Sequence, residues 1–317
     1  MARAHVGVGV WLTVASGLAF ATSGPFAKAV LSARWSPGAT LAIRLTGAAA
    51  IILALALVLD RRALFDSRRH LRTLAVFGVV ALAGVQATFF LALEYLQVGV
   101  ALMIQFLAPI AVIGWNWLVR ARRPSAVTLL GATLAICGAA LVIDVFDSGG
   151  LDVVGLGWAL LSMAGNAAFF ILSDRGADTM SPVVLLGAGM TVAAVTAWAL
   201  ALIHLLPLRF GTASVTLAEH RVPTAVSLAL LVMVSTVAAY LCGVAGAARI
   251  GSTLTSLILL SEVLFAVALS WLLLGESVAP IQVAGGVVLI GGIVLARRGT
   301  REQPPLPEGA APNPVRT

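Results

Sequence analysis

The chain has 317 residues, of which 60% are hydrophobic and only 10% are charged. A soluble globular domain is about 45–50% apolar and about 25% charged, so this composition excludes an ordinary water-soluble protein. The formal net charge is +7, but the basic residues cluster in short segments between apolar runs, which is typical of membrane-protein loops and does not favour a nucleic-acid partner.

Ten apolar segments are predicted to span the membrane, since a spanning helix needs about 20 mostly apolar residues. The connections between them are short, so no soluble domain is predicted. The polar, Pro-rich tail, residues 299–317, is predicted to be disordered. In chain order the predicted spans are 8–30, 37–59, 74–96, 100–119, 125–145, 155–173, 182–206, 225–246, 252–274 and 279–297.

The arginines predict the orientation. If the N-terminus is cytoplasmic, fifteen arginines fall on that side and only Arg34, Arg209 and Arg221 fall on the other. Under the positive-inside rule this asymmetry predicts that both termini, and the tail, are cytoplasmic in a plasma membrane protein.

A shift of 154 residues superimposes one half of the chain on the other. It brings Gly131 onto Gly285 and Gly138 onto Gly292, and glycines seven residues apart lie on one helix face, where they favour close helix packing. Five spans per half is an odd number, so the second half must enter the membrane upside down, as in many secondary transporters. We therefore predict an all-α integral membrane protein with ten transmembrane helices in two inverted five-helix repeats, 1–147 and 148–298.

Several short motifs follow one another in a fixed order. In the first half these are SGPFAK at 23–28, Ser36-Pro37 and VGVALMIQFLAP at 98–109; in the second half they are Ser261-Glu262 and LGE at 274–276. Together they resemble the EamA-type proteins of the drug/metabolite transporter (DMT) superfamily, in the branch that includes threonine/homoserine exporters.

The resemblance implies a 5+5 transporter of small metabolites, often an exporter in bacteria. Gln105 stands where many relatives carry an acidic residue, and Val263 stands where the second half usually has proline. These departures leave the substrate and the coupling ion open.

Glu262 lies at the middle of the ninth predicted span. An ionised side chain at this depth costs about 2.5–3.5 kcal/mol on insertion scales, so such a residue usually faces a cavity or a partner. One interpretation is a protonatable carboxylate that binds a substrate amine or couples transport to protons. The other is a buried structural carboxyl.

Two basic residues, Lys28 and Arg44, fall in the outer thirds of the first two spans, and Glu94 lies near the outer end of the third. They are candidates for a vestibule that attracts a carboxylate. Alternatively they form an ion pair inside the membrane, or Lys28 extends to the interface.

Three amides, Gln86, Gln105 and Asn166, lie at mid-span in different helices. Each is a candidate to orient a polar ligand, or to join two helices by a hydrogen bond. Their similar depth favours a shared cavity, with aromatic wall candidates Tyr240, Trp11 and Trp158. Pro25 and Pro109 are predicted to kink their helices.

No catalytic, metal or cofactor motif accompanies these residues. The two cysteines form no ligand spacing, the four histidines are scattered, and no P-loop is present. The sequence therefore predicts a transporter without cofactors, which exports small metabolites such as amino acids by alternating access, with proton coupling as an option. A membrane receptor or structural protein on the same fold is the alternative, and the oligomeric state is open.

Overall fold

The structure is a computed structural model that describes residues 2–92, 94–96, 98–119, 123–143, 152–176, 179–211, 213–217, 220–274 and 279–301. The described chain consists mostly of helices. Those of the first half are α1 (Ala2–Ala21), α2 (Ser23–Ser32), α3 (Pro37–Leu59), α4 (Arg61–Asp66), α5 (Leu71–Val76), α6 (Val85–Ala92), α7 (Val98–Gln105), α8 (Ala108–Leu118) and α9 (Ala126–Ile143).

The second half contains six helices and one β-hairpin. They are α10 (Val153–Gly176), α11 (Pro182–Leu202), β1 (Ser214–Leu217), β2 (His220–Pro223), α12 (Thr224–Val232), α13 (Ala239–Leu259), α14 (Glu262–Leu274) and α15 (Pro280–Arg301). A 3-10 turn, Ser67–His70, joins α4 to α5. Two π-helical segments, Phe77–Gly84 and Met233–Ala238, join α5 to α6 and α12 to α13.

Seven helical stretches of the described chain are long and apolar enough to cross a membrane. The prediction of ten differs because some predicted spans are interrupted: the fourth at Phe106 and Leu107, the ninth at Leu260 and Ser261. The predicted eighth and ninth spans also meet within α13, at a kink where Gly251 has φ 78°. The seven stretches are Val6–Ser32, Pro37–Leu59, Arg61–Ala92, Val153–Gly176, Pro182–Leu202, Thr224–Leu259 and Pro280–Gly299, beside two shorter apolar helices, Ala108–Leu118 and Ala126–Val142.

Local sequence explains where several helices begin. Ser36 caps α3 by accepting a hydrogen bond from the Ala39 N–H at 3.2 Å, and Pro37 follows at the first helical position, where its missing N–H costs nothing. At the start of α10 the Asp152 carboxylate accepts hydrogen bonds from two backbone N–H groups, at 2.8 and 2.9 Å. α15 continues through Arg301, so the first three residues of the predicted tail are helical; residues 302–317 lie outside the described residues.

Successive spans run in opposite directions, which gives the bundle two ends. We call the end where α1 begins and α3 finishes the near end, and the end where α2 finishes and α3 begins the far end. α8 finishes at the near end, because its Asn116 bonds to Ser252, close to Ile250, which packs against Gly9 of α1. α9 starts shortly after α8, and α15 finishes beside the start of α9, where Gly299 packs against Thr128.

Helices α9 and α15 cross closely at two pairs of glycines. A Cβ atom on Gly138 would lie 2.7 Å from the Gly285 carbonyl oxygen, and one on Gly285 would lie 2.8 Å from the Gly138 carbonyl oxygen. The same holds for Gly131 and Gly292: a Cβ atom on either residue would lie 2.7 Å from the carbonyl oxygen of the other. The two helices are therefore antiparallel and packed backbone to backbone, which only residues without side chains permit.

Replacing Gly292 with alanine is expected to destabilise this crossing. The added methyl group would lie 2.7 Å from the Gly131 carbonyl oxygen and against the Ala135 backbone, so we expect a loss of about 1–3 kcal/mol in unfolding free energy. Thermal unfolding in detergent measures it. Gly291→Ala is the control, since a Cβ at Gly291 meets nothing within 4 Å; equal melting temperatures for the two variants would contradict the prediction.

The same spacing of 154 residues relates several structural features. The helix interruption at Phe106 and Leu107 recurs at Leu260 and Ser261, and both halves carry a π-helical segment before α6 or α13. A pair of hydrogen bonds follows the repeat too. The Ser16 hydroxyl donates to the Ala239 carbonyl at 2.7 Å, and the Ser162 hydroxyl donates to the Val85 carbonyl at 3.0 Å. The acceptors 85 and 239 differ by 154 residues, whereas the donors 16 and 162 differ by 146.

A β-hairpin, absent from the sequence prediction, lies at the far end. β1 and β2 pair antiparallel with Val215 opposite Val222, and Val215 is buried with Ala29 and Ala33 of the α2 end. Beside it, the Ser36 hydroxyl donates to the Pro207 carbonyl at 2.7 Å. The hairpin therefore ties the α2–α3 connection to the segment before α12.

Candidate functional site

A cavity of about 470 Å³ lies in the middle of the bundle and extends toward the far end. This volume is within the range of roughly 300–1,000 Å³ that small-molecule sites occupy. Its lining combines residues from both halves of the chain: Phe20, Ala21, Ser23, Gly24, Ala27, Arg44, Ala81, Val85, Gln86, Phe89, Phe90, Leu102, Gln105, Phe106, Pro109, Asn166, Phe169, Phe170, Tyr240, Ser256, Leu259, Leu260, Glu262, Val263, Ala266 and Gln282.

The structure brings six of the seven predicted site residues to this cavity. They come from six different helices and, except for Tyr240, which is buried, each is half-buried: Arg44, Gln86, Gln105, Asn166, Tyr240 and Glu262. The seventh, Lys28, lies in α2, and its side chain is outside the described residues. Glu94, the acid near the end of the third span, lies in an exposed turn after α6.

Arg44 is held by three hydrogen bonds that join separate elements. Its Nε donates to Thr236 Oγ1 at 2.6 Å, its Nη1 to Ser23 Oγ at 3.2 Å and its Nη2 to the Ser235 carbonyl at 3.0 Å. A guanidinium has five N–H donors, so two remain for other acceptors. The fixed side chain presents a permanent positive charge to the cavity.

Gln86 and Tyr240 meet across the two halves. The Gln86 Nε2 donates to the Tyr240 hydroxyl at 3.4 Å and to the Leu82 carbonyl at 3.3 Å. Within the described structure the buried Gln86 Oε1 accepts no hydrogen bond. Because 86 and 240 also differ by 154, this pair joins equivalent positions of the repeat.

The aromatic ring of Tyr240 is clamped by two phenylalanines. Phe20 contacts it edge to face at a centroid distance of 4.8 Å, and Phe169 does so at 5.4 Å. Such pairs add roughly 0.5–1.5 kcal/mol beyond their buried area. The ring therefore forms a rigid part of the wall.

Gln105 has a structural contact as well as a place in the lining. Its Nε2 donates to Ser162 Oγ at 2.7 Å, and Ser162 in turn donates to the Val85 carbonyl. The amide thus connects α7 to α10 and α6, as one of the two interpretations of the mid-span amides predicted.

Glu262 is the first residue of α14, directly after the interruption at Leu260 and Ser261. The N-terminus of a helix favours a negative charge. Arg44 is near enough for its charge to act on Glu262, but among the described residues Glu262 forms neither a hydrogen bond nor an ion pair. The Asn166 side chain, also half-buried in the lining, likewise forms no hydrogen bond within the described structure. These two side chains have their polar groups available to a ligand.

Phenylalanines form most of the apolar wall, and the sequence analysis did not identify them. Phe89 and Phe90 follow Gln86 by three and four residues, and Phe169 and Phe170 follow Asn166 in the same way. Residues three and four apart share a helix face, so this spacing was a signal for the wall. Phe20 and Phe106 complete it.

Two tryptophans that were candidates for the wall lie elsewhere. Trp11 is 73% exposed on the outside of α1, and Trp158 packs against core residues and does not line the cavity. Their large apolar surfaces are used for packing and for the membrane-facing side, so the wall assignment of Trp11 and Trp158 was wrong.

The near end of the bundle is closed below the cavity by a cluster of polar residues. Asn116 of α8 donates to Ser252 Oγ at 3.2 Å and to Thr253 Oγ1 at 2.9 Å. Ser252 donates to the Asp174 carboxylate of α10 at 3.2 Å, and Asn116 is 9% exposed. This near-end cluster, residues Asn116, Asp174, Ser252 and Thr253, links α8, α10 and α13.

The chain is similar in sequence to a family of membrane transporters and in fold to a solved structure. The EamA-like transporter family matches the chain twice, over residues 7–144 and 153–298. The chain is 27% identical over 244 residues to the "Uncharacterized inner membrane transporter YicL" of Salmonella typhimurium, covering 76% of this chain and 77% of that protein. A solved crystal structure shares the fold with a TM-score of 0.72 and 18% identity, over 94% of this chain and 99% of the other. This protein is a multi-pass plasma membrane protein that belongs to the EamA-like transporter family.

Proposed function

We propose that the protein is a secondary transporter that exports amino acids or related small metabolites by alternating access, with Glu262 as the group that binds the substrate amine or a proton. The observation that carries the proposal is the cavity between the two halves. It holds a fixed cation, Arg44, and a carboxyl group, Glu262, for which the described part of the chain provides no hydrogen bond or ion pair.

The inverted arrangement of two five-helix halves is part of the proposal. It is supported by the antiparallel contact of α9 and α15. Gly131 approaches Gly292, the repeat equivalent of Gly138, and Gly138 approaches Gly285, the repeat equivalent of Gly131. Two halves that enter the membrane in opposite directions, related by an axis in the membrane plane, produce such a contact. The arginine distribution supports a cytoplasmic near end, where the described chain both begins and finishes.

The lining supports a zwitterionic substrate with an apolar side chain. Arg44 offers charge-assisted hydrogen bonds to a carboxylate, while Glu262 and the Asn166 amide oxygen suit an ammonium group. The phenylalanine wall provides an apolar surface for the rest of the molecule. A sugar would find few polar partners on that wall.

Counterflow in liposomes tests the proposed function. The purified protein would be reconstituted and offered amino acids, small amines and sugars, with and without a pH gradient. We expect counterflow of zwitterionic amino acids with apolar side chains, and stimulation by the gradient would support proton coupling. Binding of such a ligand without counterflow would instead favour the receptor, and counterflow of sugars alone would overturn the substrate assignment.

The near-end cluster is the proposed cytoplasmic gate. Asn116→Ala removes two hydrogen bonds that join α8 to α13, so we expect the near end to separate more often. A cysteine placed at Ser256 in the cavity, in a protein without Cys137 and Cys242, would then react several-fold faster with an impermeant thiol reagent from the near side.

Thr191→Ala is the matched control for the gate variant. Its hydroxyl donates only to the Gly187 carbonyl within its own helix, at 2.8 Å, so its loss separates no helices. If Asn116→Ala and Thr191→Ala give the same labelling rate, the cluster is not a gate.

A further inference from the structure

A short amphipathic segment, residues 60–72, connects α3 to α5 at the near end. The Asp60 carboxylate caps α4 by accepting from the Ala63 N–H at 3.0 Å. On the inner side, Leu64 packs against the core and Ser67 is buried, its hydroxyl donating to the Leu64 carbonyl at 2.7 Å. The segment is therefore anchored, and its outer face has a fixed position.

Two arginines share one aromatic ring on that outer face. The Arg61 guanidinium carbon lies 5.6 Å from the centroid of the Phe65 ring, and that of Arg68 lies 5.1 Å from it. Each cation is attracted by the ring, but the two repel each other. Within the described chain neither forms an ion pair with a carboxylate, and Asp60 is already engaged as a helix cap. Asp66, the other acid of the segment, is exposed and forms no ion pair with either arginine. Two cations gathered on one ring can therefore attract an anion.

The ring lies where lipid tails give way to headgroups. Phe65 is 45% exposed and follows Val58 and Leu59, which are 83% and 64% exposed at the end of α3. Leu71, at the start of α5, is 63% exposed on the other side of the segment. Apolar side chains this exposed suit the lipid, while the arginines suit the charged interface.

We propose that Arg61, Phe65 and Arg68 form a binding site for the phosphate of an anionic phospholipid headgroup. Guanidinium groups bind phosphate by two parallel hydrogen bonds, which Lys cannot reproduce. The ring holds both guanidinium groups in place, so little side-chain freedom is lost on binding. The site is independent of the central cavity and of the proposed transport function.

Lipid binding in a neutral detergent tests the site without the attraction of a charged membrane surface. Phosphatidylglycerol would be titrated into the purified full-length protein and the bound lipid counted by native mass spectrometry. We expect Arg61→Gln combined with Arg68→Gln to weaken binding by at least about tenfold, since each contacting cation is worth roughly fivefold. Phe65→Ala, which leaves the charge unchanged, should weaken binding several-fold.

The matched control is Arg62→Gln combined with Arg69→Gln. It removes the same charge from exposed positions of the same segment, without touching the pair stacked on Phe65. Equal weakening by both double variants would reduce the site to general charge attraction and overturn the proposal, as would no weakening by either. Phosphatidylcholine should bind more weakly than phosphatidylglycerol. Displacement of the lipid by millimolar inorganic phosphate would assign the site to free phosphate instead.

Discussion

Counterflow of the substrate is expected to fall roughly a hundredfold when Glu262 is replaced by glutamine. Glu262 is the only acidic residue among the described lining residues of the cavity, and it is half-buried there. Losing one charge of a buried ion pair with a ligand costs about 3 kcal/mol, which corresponds to roughly a hundredfold in affinity. Glutamine also cannot exchange a proton, so any stimulation by a pH gradient should disappear.

The control for this variant is Glu94→Gln. It is the same chemical change at an exposed turn near the far end, and it should leave both the counterflow rate and its pH dependence unchanged. Transport by Glu262→Gln at the unaltered rate, with unaltered pH dependence, would refute the assigned role. A loss that is accompanied by a lower melting temperature would indicate a structural carboxyl.

Arg44→Gln is expected to affect both stability and selectivity. The substitution removes three hydrogen bonds that tie α3 to α2 and to the π-helical segment before α13, and hydrogen bonds to charged groups contribute about 1.5–3 kcal/mol each when measured singly. We expect a lower melting temperature and a counterflow of zwitterionic or anionic ligands that falls at least tenfold more than that of cationic amines.

A second variant separates the charge of Arg44 from its contacts. Thr236→Val removes the acceptor of the Nε–H, which lies 2.6 Å away, together with the hydroxyl's own donation to the Leu231 carbonyl at 2.8 Å. It keeps the positive charge in the cavity. It should reduce stability while preserving the preference for zwitterionic over cationic ligands. Equal losses for cationic and zwitterionic ligands in Arg44→Gln would exclude a role in carboxylate binding.

The positions of the polar lining residues could be predicted from the sequence because lipid imposes a strong rule. A charged or amide side chain in the middle of an apolar span usually faces the interior of the bundle, because contact with lipid is costly. One cavity is accordingly lined by Arg44, Gln86, Gln105, Asn166 and Glu262. Their connections could not be predicted, because hydrogen bonding depends on helix rotation and depth to within an ångström. Gln105 is engaged with Ser162, while Asn166, an amide of similar depth, is not.

The interruptions of the helices were only partly predictable. Pro25 and Pro109 marked the breaks at Thr22 and at Phe106 and Leu107, but the break before Glu262 has neither proline nor glycine to announce it. Its position follows from the repeat, since 106 plus 154 is 260. Without the comparison between the two halves, an apolar run such as LTSLILLSEVLFAV predicts one continuous helix.

The two π-helical segments determine which way the Gln86–Tyr240 pair faces. One segment finishes at Gly84, two residues before Gln86, and the other at Ala238, two residues before Tyr240. A π-helical turn accommodates one residue more than an α-helical turn, and each residue of an α-helix rotates the chain by about 100°. Deleting one residue from either segment would turn the following side chain by that angle, away from its counterpart. The Gln86–Tyr240 contact therefore depends on both π-helical segments, and a second deletion in the other half would turn the remaining partner away as well.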